Sequence, residues 1–543
     1  MAFGPRAVLL ESRFQEDPGI ILPGRHQIAA FVDRTWVPAL SVLLPLAWMF
    51  KLGLDANWDL RNYHLYNPHA WLSGRDAIDI APAQLQSWHN PLLDVPLYLI
   101  TVSGMDARWS GAWLVLPNIL CLLLLFGLQR RLSPAPPGKL SQLVLALLAV
   151  TGAAFGSTMG SSMNDSFVAA AMLGSVWIVF RDSDDFSGRH RWLLAGLLAG
   201  AITGLKLAAI FYCEGLAVAA IVQGPWLRSV RRLVALVLGG IAGFALTYGY
   251  WGWRMFRLHG NPFFPYYNNF FTSPDALSQD WADRRFRAVS LLDALSSPIQ
   301  LLQRTSHFSE GPIRDPRLLI GLMAVLGLWL VYRSKRQALG RKFKVLAAFT
   351  VASWLLWVFQ YGIYRYAIVL ELIGCLALVL LLQGFQRGRA VALVVVLLMV
   401  GLATNRPDWG RLPVTKPYSP IVAVGLSEDS LVLIATGEPV AYVALGLPDR
   451  VPVVAVYNNL MSPNRCMGLQ MRASQTIAQH TGHLWLLDPD PAGGSSSQAV
   501  VRAAFGLEKS GPCWKINSDL GLAKLCPQAR PQQKGRKWGC PRT

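Results

Sequence analysis

The chain has 543 residues, 53% of them hydrophobic and only 15% charged. A soluble domain carries about a quarter charged residues, so the composition excludes an ordinary soluble protein. The formal net charge of +19 does not point to nucleic acid, because the basic residues gather in short loops on one side of long apolar runs, as the positive-inside rule requires.

Residues 1–35 are polar and basic (Arg6, Arg13, Arg25, Arg34) and are expected to face the cytoplasm. They lack the compact basic-then-apolar pattern of a cleaved signal, so the first apolar run, 36–54, is expected to remain as an anchor. A first outer loop follows over 55–110, in which 89–103 is apolar, short and broken by proline. That pattern predicts a helix lying in the interface. Further spans are expected at 111–128, 140–155, 165–180, 192–209, 210–223 and 233–253, with a mixed-charge inner loop at 181–191. A second large outer loop, 254–317, precedes spans at 318–331, 345–360, 366–382 and 390–403. Runs of about 17–25 apolar residues match a hydrocarbon core of about 30 Å. The reading is a mainly α, polytopic membrane bundle of about eleven transmembrane helices over residues 36–404.

From Asn405 the composition changes. Short apolar runs at 431–435, 451–457 and 483–487, separated by turn residues, predict strands of a small α/β domain over 405–543 outside the membrane. The last dozen residues, rich in Pro, Gln, Lys and Arg, are expected to be loosely ordered. Cys121, Cys213 and Cys375 fall inside apolar runs and read as small buried hydrophobes. Cys466, Cys513, Cys526 and Cys540 lie in the polar tail, where an even set fits disulfides in an oxidising compartment. No internal repeat and no phosphate-cradling glycine loop is present, which argues against a nucleotide-driven machine.

The richest chemistry lies between Lys51 and Leu92, with Asp55, Asp59, Arg61, His64, Asp79 and His89 in one stretch. Charge held at a membrane face is costly and calls for a functional hypothesis. Leu60, Tyr63, His64, Asn67 and Trp71 recur at near-helical spacing, so the segment is expected to lie flat with its aromatic face in the headgroups. Asp59 at its start would cap that helix; a carboxylate there also suits a general base for an acceptor hydroxyl. Lys206, inside an apolar run, reads either as functional or as snorkelling. Arg365, flanked by Tyr364 and Tyr366, reads either as an interfacial anchor or as a phosphate ligand, since a guanidinium donates paired hydrogen bonds. Arg254 and Arg257 end a span and are either phosphate contacts or a basic flank. Glu371 is expected to pair with Lys206 or Arg365. The aromatic and carboxamide run 260–269 suits sugar stacking or a plain interfacial belt. His307 and Glu310 have no ligand-like spacing.

Three features occur in order: Asp59, Tyr63, Ala70 and Gly74 in a D-x3-Y-x6-A-x3-G spacing; Trp88-His89-Asn90-Pro91-Leu92 followed by Gly104 and Arg108; and Asn164-Asp165-Ser166 opening a span. Together they resemble the GT-C superfamily of integral-membrane glycosyltransferases, in particular the bacterial aminoarabinose transferases and relatives of protein O-mannosyltransferases. The resemblance covers residues 36–404. It implies transfer of a sugar from a polyprenyl-phosphate carrier to an acceptor on the outer, periplasmic side of a bacterial inner membrane, usually with inversion. It makes Asp59 the general base and Asp165 a residue that positions the acceptor or binds a divalent cation, the one cofactor implied. Arg365, Lys206 and Arg254 become candidate ligands of the donor phosphate, and His89, Asp55 and Tyr63 acceptor-side residues. Asp55 reads equally as the end of the first span. Asn90 stands where the family often has the first proline of His-Pro-Pro-Leu. The implied partners are the bilayer, the lipid-linked sugar and an acceptor of unspecified class, with no nucleic acid. A flippase of lipid-linked sugars is the rival reading; it favours charges along several spans and a duplicated architecture. A non-catalytic envelope assembly protein is the third.

Overall fold

The computed structural model describes residues 25–181, 188–335, 337–385, 387–414, 420–489 and 496–530. Most of the basic N-terminal segment, residues 182–187 of the mixed-charge loop, Cys540 and the tail beyond residue 530 lie outside the described residues.

Each expected apolar run carries one helix: Arg25–Leu52, Ala107–Leu132, Lys139–Val150, Asp165–Val179, Gly188–Leu205, Ile210–Val222, Trp226–His259, Arg317–Lys335, Gln337–Gln360, Ile368–Gln383 and Arg389–Ala403. Five stretches among the described residues are long and apolar enough to cross a membrane, and four more are apolar but of 10–17 residues. This is a multi-pass helical membrane architecture whose full-length candidates are fewer than the sequence suggested.

The shortening has a physical cause. The expected span 140–155 ceases to be helical at Val150, and the chain runs on as buried turns to Asn164. Non-helical backbone at such depth survives only where protein satisfies it. Here Asp315 accepts from the Ala153 amide (2.8 Å), and Glu371 accepts from the amides of Ala154 and Phe155 (2.8 and 3.1 Å). Arg317 completes the clamp, donating to Asp315 and to Thr151 (both 2.9 Å). Glu371 therefore holds backbone, not Lys206 or Arg365, because the turn's orphan amides lie directly against its helix.

Helices Gly188–Leu205 and Trp226–His259 make the most extensive helix pairing in the molecule. Gly196 and Gly200 on one face the carbonyls of Leu236 and Gly240, and Gly239 and Gly243 on the other face those of Leu193 and Leu197. Small residues four apart let two backbones touch where lipid supplies no hydrophobic drive.

The C-terminal region folds as expected at its start and goes further. Strands Val453–Tyr457, Leu431–Ala435 and Leu484–Pro489 lie parallel in that order, and Gly521–Ala529 adds antiparallel to the last. Glu508–Lys509 and Trp514–Ser518 pair with that strand, and a disulfide joins Cys513 to Cys526. This domain sits directly on the loop that follows the first helix. Ile80 forms a parallel bridge to Val454, and Asp79 accepts from the Val453 amide (2.8 Å). Arg75, fully buried, donates to Asp79 and to the carbonyls of Pro448, Asp449 and Val451. Leu60, Tyr63, Leu65 and Tyr66 consequently join the same apolar core as the domain's strands. The expected flat membrane segment is thus buried against protein. Helix Val95–Val102, within the run 89–103 expected to lie in the interface, leaves Leu99 and Val102 exposed.

Candidate functional site

Four of the singled-out residues meet at one point. Asp165 opens helix Asp165–Val179 after Asn164, which takes a left-handed conformation (φ 65°) to end the buried turns. One Asp165 oxygen forms an ion pair with Lys206, and the other accepts from Arg365 Nη1 (2.9 Å). Lys206 reaches it from a break in the helical run. Its backbone is extended between helix Gly188–Leu205 and the short turn Leu207–Ala209, and Nζ also donates to the Met163 carbonyl (2.5 Å). Arg365 comes from the 3-10 turn Tyr364–Ala367. Its Nη2 lies 3.5 Å from Asp59 Oδ2, and Nε and Nη2 both donate to Glu310 (3.1 Å each). The guanidinium is therefore shared by three carboxylates from three distant parts of the chain.

Asp59 differs from the others in having slack. It makes no capping hydrogen bond, and its Oδ2 is buried without a hydrogen-bond partner. The cap is Asn57, whose Oδ1 accepts from the Leu60 amide (2.7 Å). Asn57 Nδ2 also donates to both oxygens of Asp55 and to Ser161 Oγ (2.9 Å each). Asp55 in turn accepts from the Ser162 amide (3.0 Å). Asp55 is thus a strut between the first loop and the turns before Asp165, and this replaces its acceptor-side assignment.

Beside the cluster lies a cavity of about 570 Å³, within the usual size of a small-molecule site. Lys206, Tyr63, His89 and Tyr366 line it, with Trp88, Phe263, Tyr266 and Tyr361 among its aromatic walls. The aromatic run 260–269 contributes to this wall, while Asn261 and Asn268 are buried and bonded within their own loop. Burial, and after it the charge of Asp59, holds the Tyr63 phenol well above its ordinary value, so it stays a neutral donor. Burial, and after it the neighbouring His64 and Lys206, pushes His89 down to about 3. His89 is accordingly neutral, sharing a hydrogen bond with the Tyr266 hydroxyl (2.9 Å). Asn90 does work a proline cannot: its Nδ2 donates to the carbonyls of Gly204 and Thr247 (3.0 Å each), tying this loop to the glycine-packed helix pair.

Arg254 is not brought to the cluster. It pairs with Asp76 instead. Nor does Asp165 fit a divalent cation: both its oxygens already face cations, and no group of three His, Cys, Asp or Glu suited to a metal occurs among the described residues. Sequence reasoning missed Glu310, which carried no motif. It also missed the buried set in which Asp94 Oδ1 meets His64 Nδ1 (2.8 Å) and accepts from Asn164 (2.7 Å).

No family model matches this chain, and no curated protein matches it. Among solved structures, it is similar to the cryo-EM structure of the arabinofuranosyltransferase AftD from mycobacteria, with a TM-score of 0.49 and 13% sequence identity over 92% of this chain. The match covers 40% of that protein's chain.

Proposed function

We propose that this chain is a membrane glycosyltransferase of the GT-C type, moving a sugar from a polyprenyl-phosphate carrier to a hydroxyl acceptor at the periplasmic face of a bacterial inner membrane. The observation that carries the reading is the convergence of Asp59 and Asp165 on the Arg365 guanidinium, next to Lys206 and a cavity of about 570 Å³.

The chemistry follows from which groups are committed. Asp165 is spent on holding two cations, so it orients them and does not react. Asp59, with an oxygen free of hydrogen bonds, takes the proton of the acceptor hydroxyl as the hydroxyl oxygen attacks the anomeric carbon. The bond from that carbon to the carrier phosphate breaks, with inversion. Lys206 and Arg365 face the charge that develops on the departing phosphate, which preorganised donors in a dry site stabilise strongly. Glu310 and Asp165 keep the guanidinium pointed in one direction before substrate arrives.

The test is direct transfer by protein reconstituted in lipid nanodiscs, using undecaprenyl-phosphate sugars and following release of undecaprenyl phosphate. Sugar-dependent release that is lost in Arg365→Ala supports the reading. Movement of the lipid across the bilayer without breakage of the sugar–phosphate bond would make the chain a flippase instead.

A further inference from the structure

One hydrogen-bonded polar pair on the cavity wall is unused by this mechanism. Glu214 lies in helix Ile210–Val222, whose sequence IFYCEGLAVAAIV is otherwise free of charge. A carboxylate in such a helix is costly to retain and marks a functional position by default. Glu214 stands four residues after Ile210, hence on the same helical face, and both residues line the cavity. Gln360, the last residue of helix Gln337–Gln360, donates from Nε2 to Glu214 Oε2 (2.6 Å) and lines the same wall. Tyr361 follows immediately and is half-buried there.

An interhelical hydrogen bond alone would explain the pair if it were sealed, as polar contacts between membrane helices usually are. It is not sealed. Neither residue is buried, and among the described residues the remaining Glu214 oxygen and the Gln360 carbonyl oxygen meet no protein donor. Two acceptor oxygens held side by side, next to a tyrosine ring, form a surface suited to adjacent hydroxyls on a sugar ring, with its C–H face against the aromatic. Their register is fixed: Tyr212, two residues before Glu214, donates to the Tyr366 carbonyl (2.8 Å), joining this helix to the turn that carries Arg365.

We infer that Glu214 and Gln360 form a hydroxyl-recognition subsite that reads the sugar carried by the lipid phosphate, set apart from the Lys206–Arg365 end that reads the phosphate. This rests on the proposed transferase reading and deepens it. Discrimination by the carboxylate comes from hydrogen bonds to a charged group, so loss of the subsite costs on the order of tenfold or more in affinity for the sugar-bearing lipid.

The experiment measures binding of two kinds of probe to the full chain in nanodiscs: undecaprenyl phosphate, and the same lipid carrying glucose, mannose or arabinose. The expected result is that wild type prefers at least one sugar-bearing lipid over the bare phosphate. Glu214→Ala and Gln360→Ala should each erase that preference while binding the bare lipid as wild type does. The bare lipid thus also reports that each variant is folded. Preference retained in both variants overturns the subsite and leaves the transferase reading intact. A wild type that binds bare and sugar-bearing lipids equally also overturns it. Failure of wild type to bind any of these lipids removes the transferase reading and the subsite with it.

Discussion

Replacing Asp59 by asparagine separates a poised base from a structural ion. Asp59 Oδ2 lies 3.5 Å from Arg365, and Coulomb's law at an effective dielectric of about 20 makes that attraction about 5 kcal/mol. The same guanidinium also holds Asp165 and Glu310. Their like charges repel Asp59 and oppose that attraction. The opposing terms offset one another, and among the described residues no hydrogen bond to Asp59 Oδ2 is lost because none is made. Asp59→Asn is therefore expected to melt within about 2 °C of wild type in detergent. Its sugar-transfer rate should fall by about 10²–10⁴, the usual worth of a positioned general base. Differential scanning fluorimetry and the nanodisc transfer assay read the two quantities on one preparation. A folded variant that transfers at the wild-type rate refutes Asp59 as the base. A variant that melts many degrees lower refutes the charge cancellation and makes Asp59 a strut.

Asp165→Asn should behave in the opposite way: it leaves Lys206 and Arg365 without their shared carboxylate, and breaking a buried pair costs about 3–5 kcal/mol, visible as a clear drop in melting temperature. Asn90→Ala removes two donors to the Gly204 and Thr247 carbonyls and should cost about 1–3 kcal/mol, measured by the same melt. Treatment with EDTA should leave transfer unchanged, because the Asp165 oxygens are committed to cations; a rate lost to chelation and restored by magnesium or manganese would contradict this. For Asp275, burial alone raises the pKa, yet the hydrogen bond from His259 and the charge of Arg472 bring it below its ordinary value. A depressed carboxylate contributes stability that is present above the unfolded value of about 3.9 and lost as pH falls through the folded one. Arg472 belongs to the C-terminal domain, so protease access at its junction with the second outer loop should rise below about pH 4, and Asp275→Asn should show that access at neutral pH.

The helices were legible because apolar runs of membrane length announce themselves residue by residue. Strands 431–435 and 453–457 were legible because Val and Ile recur between turn residues. Trp514–Ser518 and Gly521–Ala529 were not, since Lys515, Asn517, Lys524 and Gln528 break the apolar pattern of a strand half exposed to water. Lys206 stood out as a charge inside an apolar run, Arg365 by its flanking tyrosines, and Asp59 and Asp165 by the short motifs they open. Glu310 lay in a polar loop where one more acid carries no signal, and only the fold reveals that it faces Arg365. Asp55 and Asp59 look alike in sequence, four residues apart. What separates them is Asn57, which fills one carboxylate with hydrogen bonds and leaves the other without.

That contrast extends to the other buried acids. The buried acids divide into those whose oxygens are filled and one whose oxygen is not. Asp315 and Glu371 are spent on backbone amides, Asp55 on Asn57 and Ser162, Asp165 on two cations, and Asp79 on Arg75 and the C-terminal domain. The filled ones fix the turns from Thr151 to Asn164 at one end through Arg317 and at the other through Asp55, so Asp165 arrives at Arg365 in a single orientation. Buried polar groups are almost always satisfied, and the exception among these carboxylates is Asp59, placed against the only guanidinium among the described residues that already carries two other acids. A group left short of partners beside a cavity is cheap to keep only if something else completes it. An acceptor hydroxyl donating to Oδ2 would do so, and it would arrive at the position from which its proton must leave.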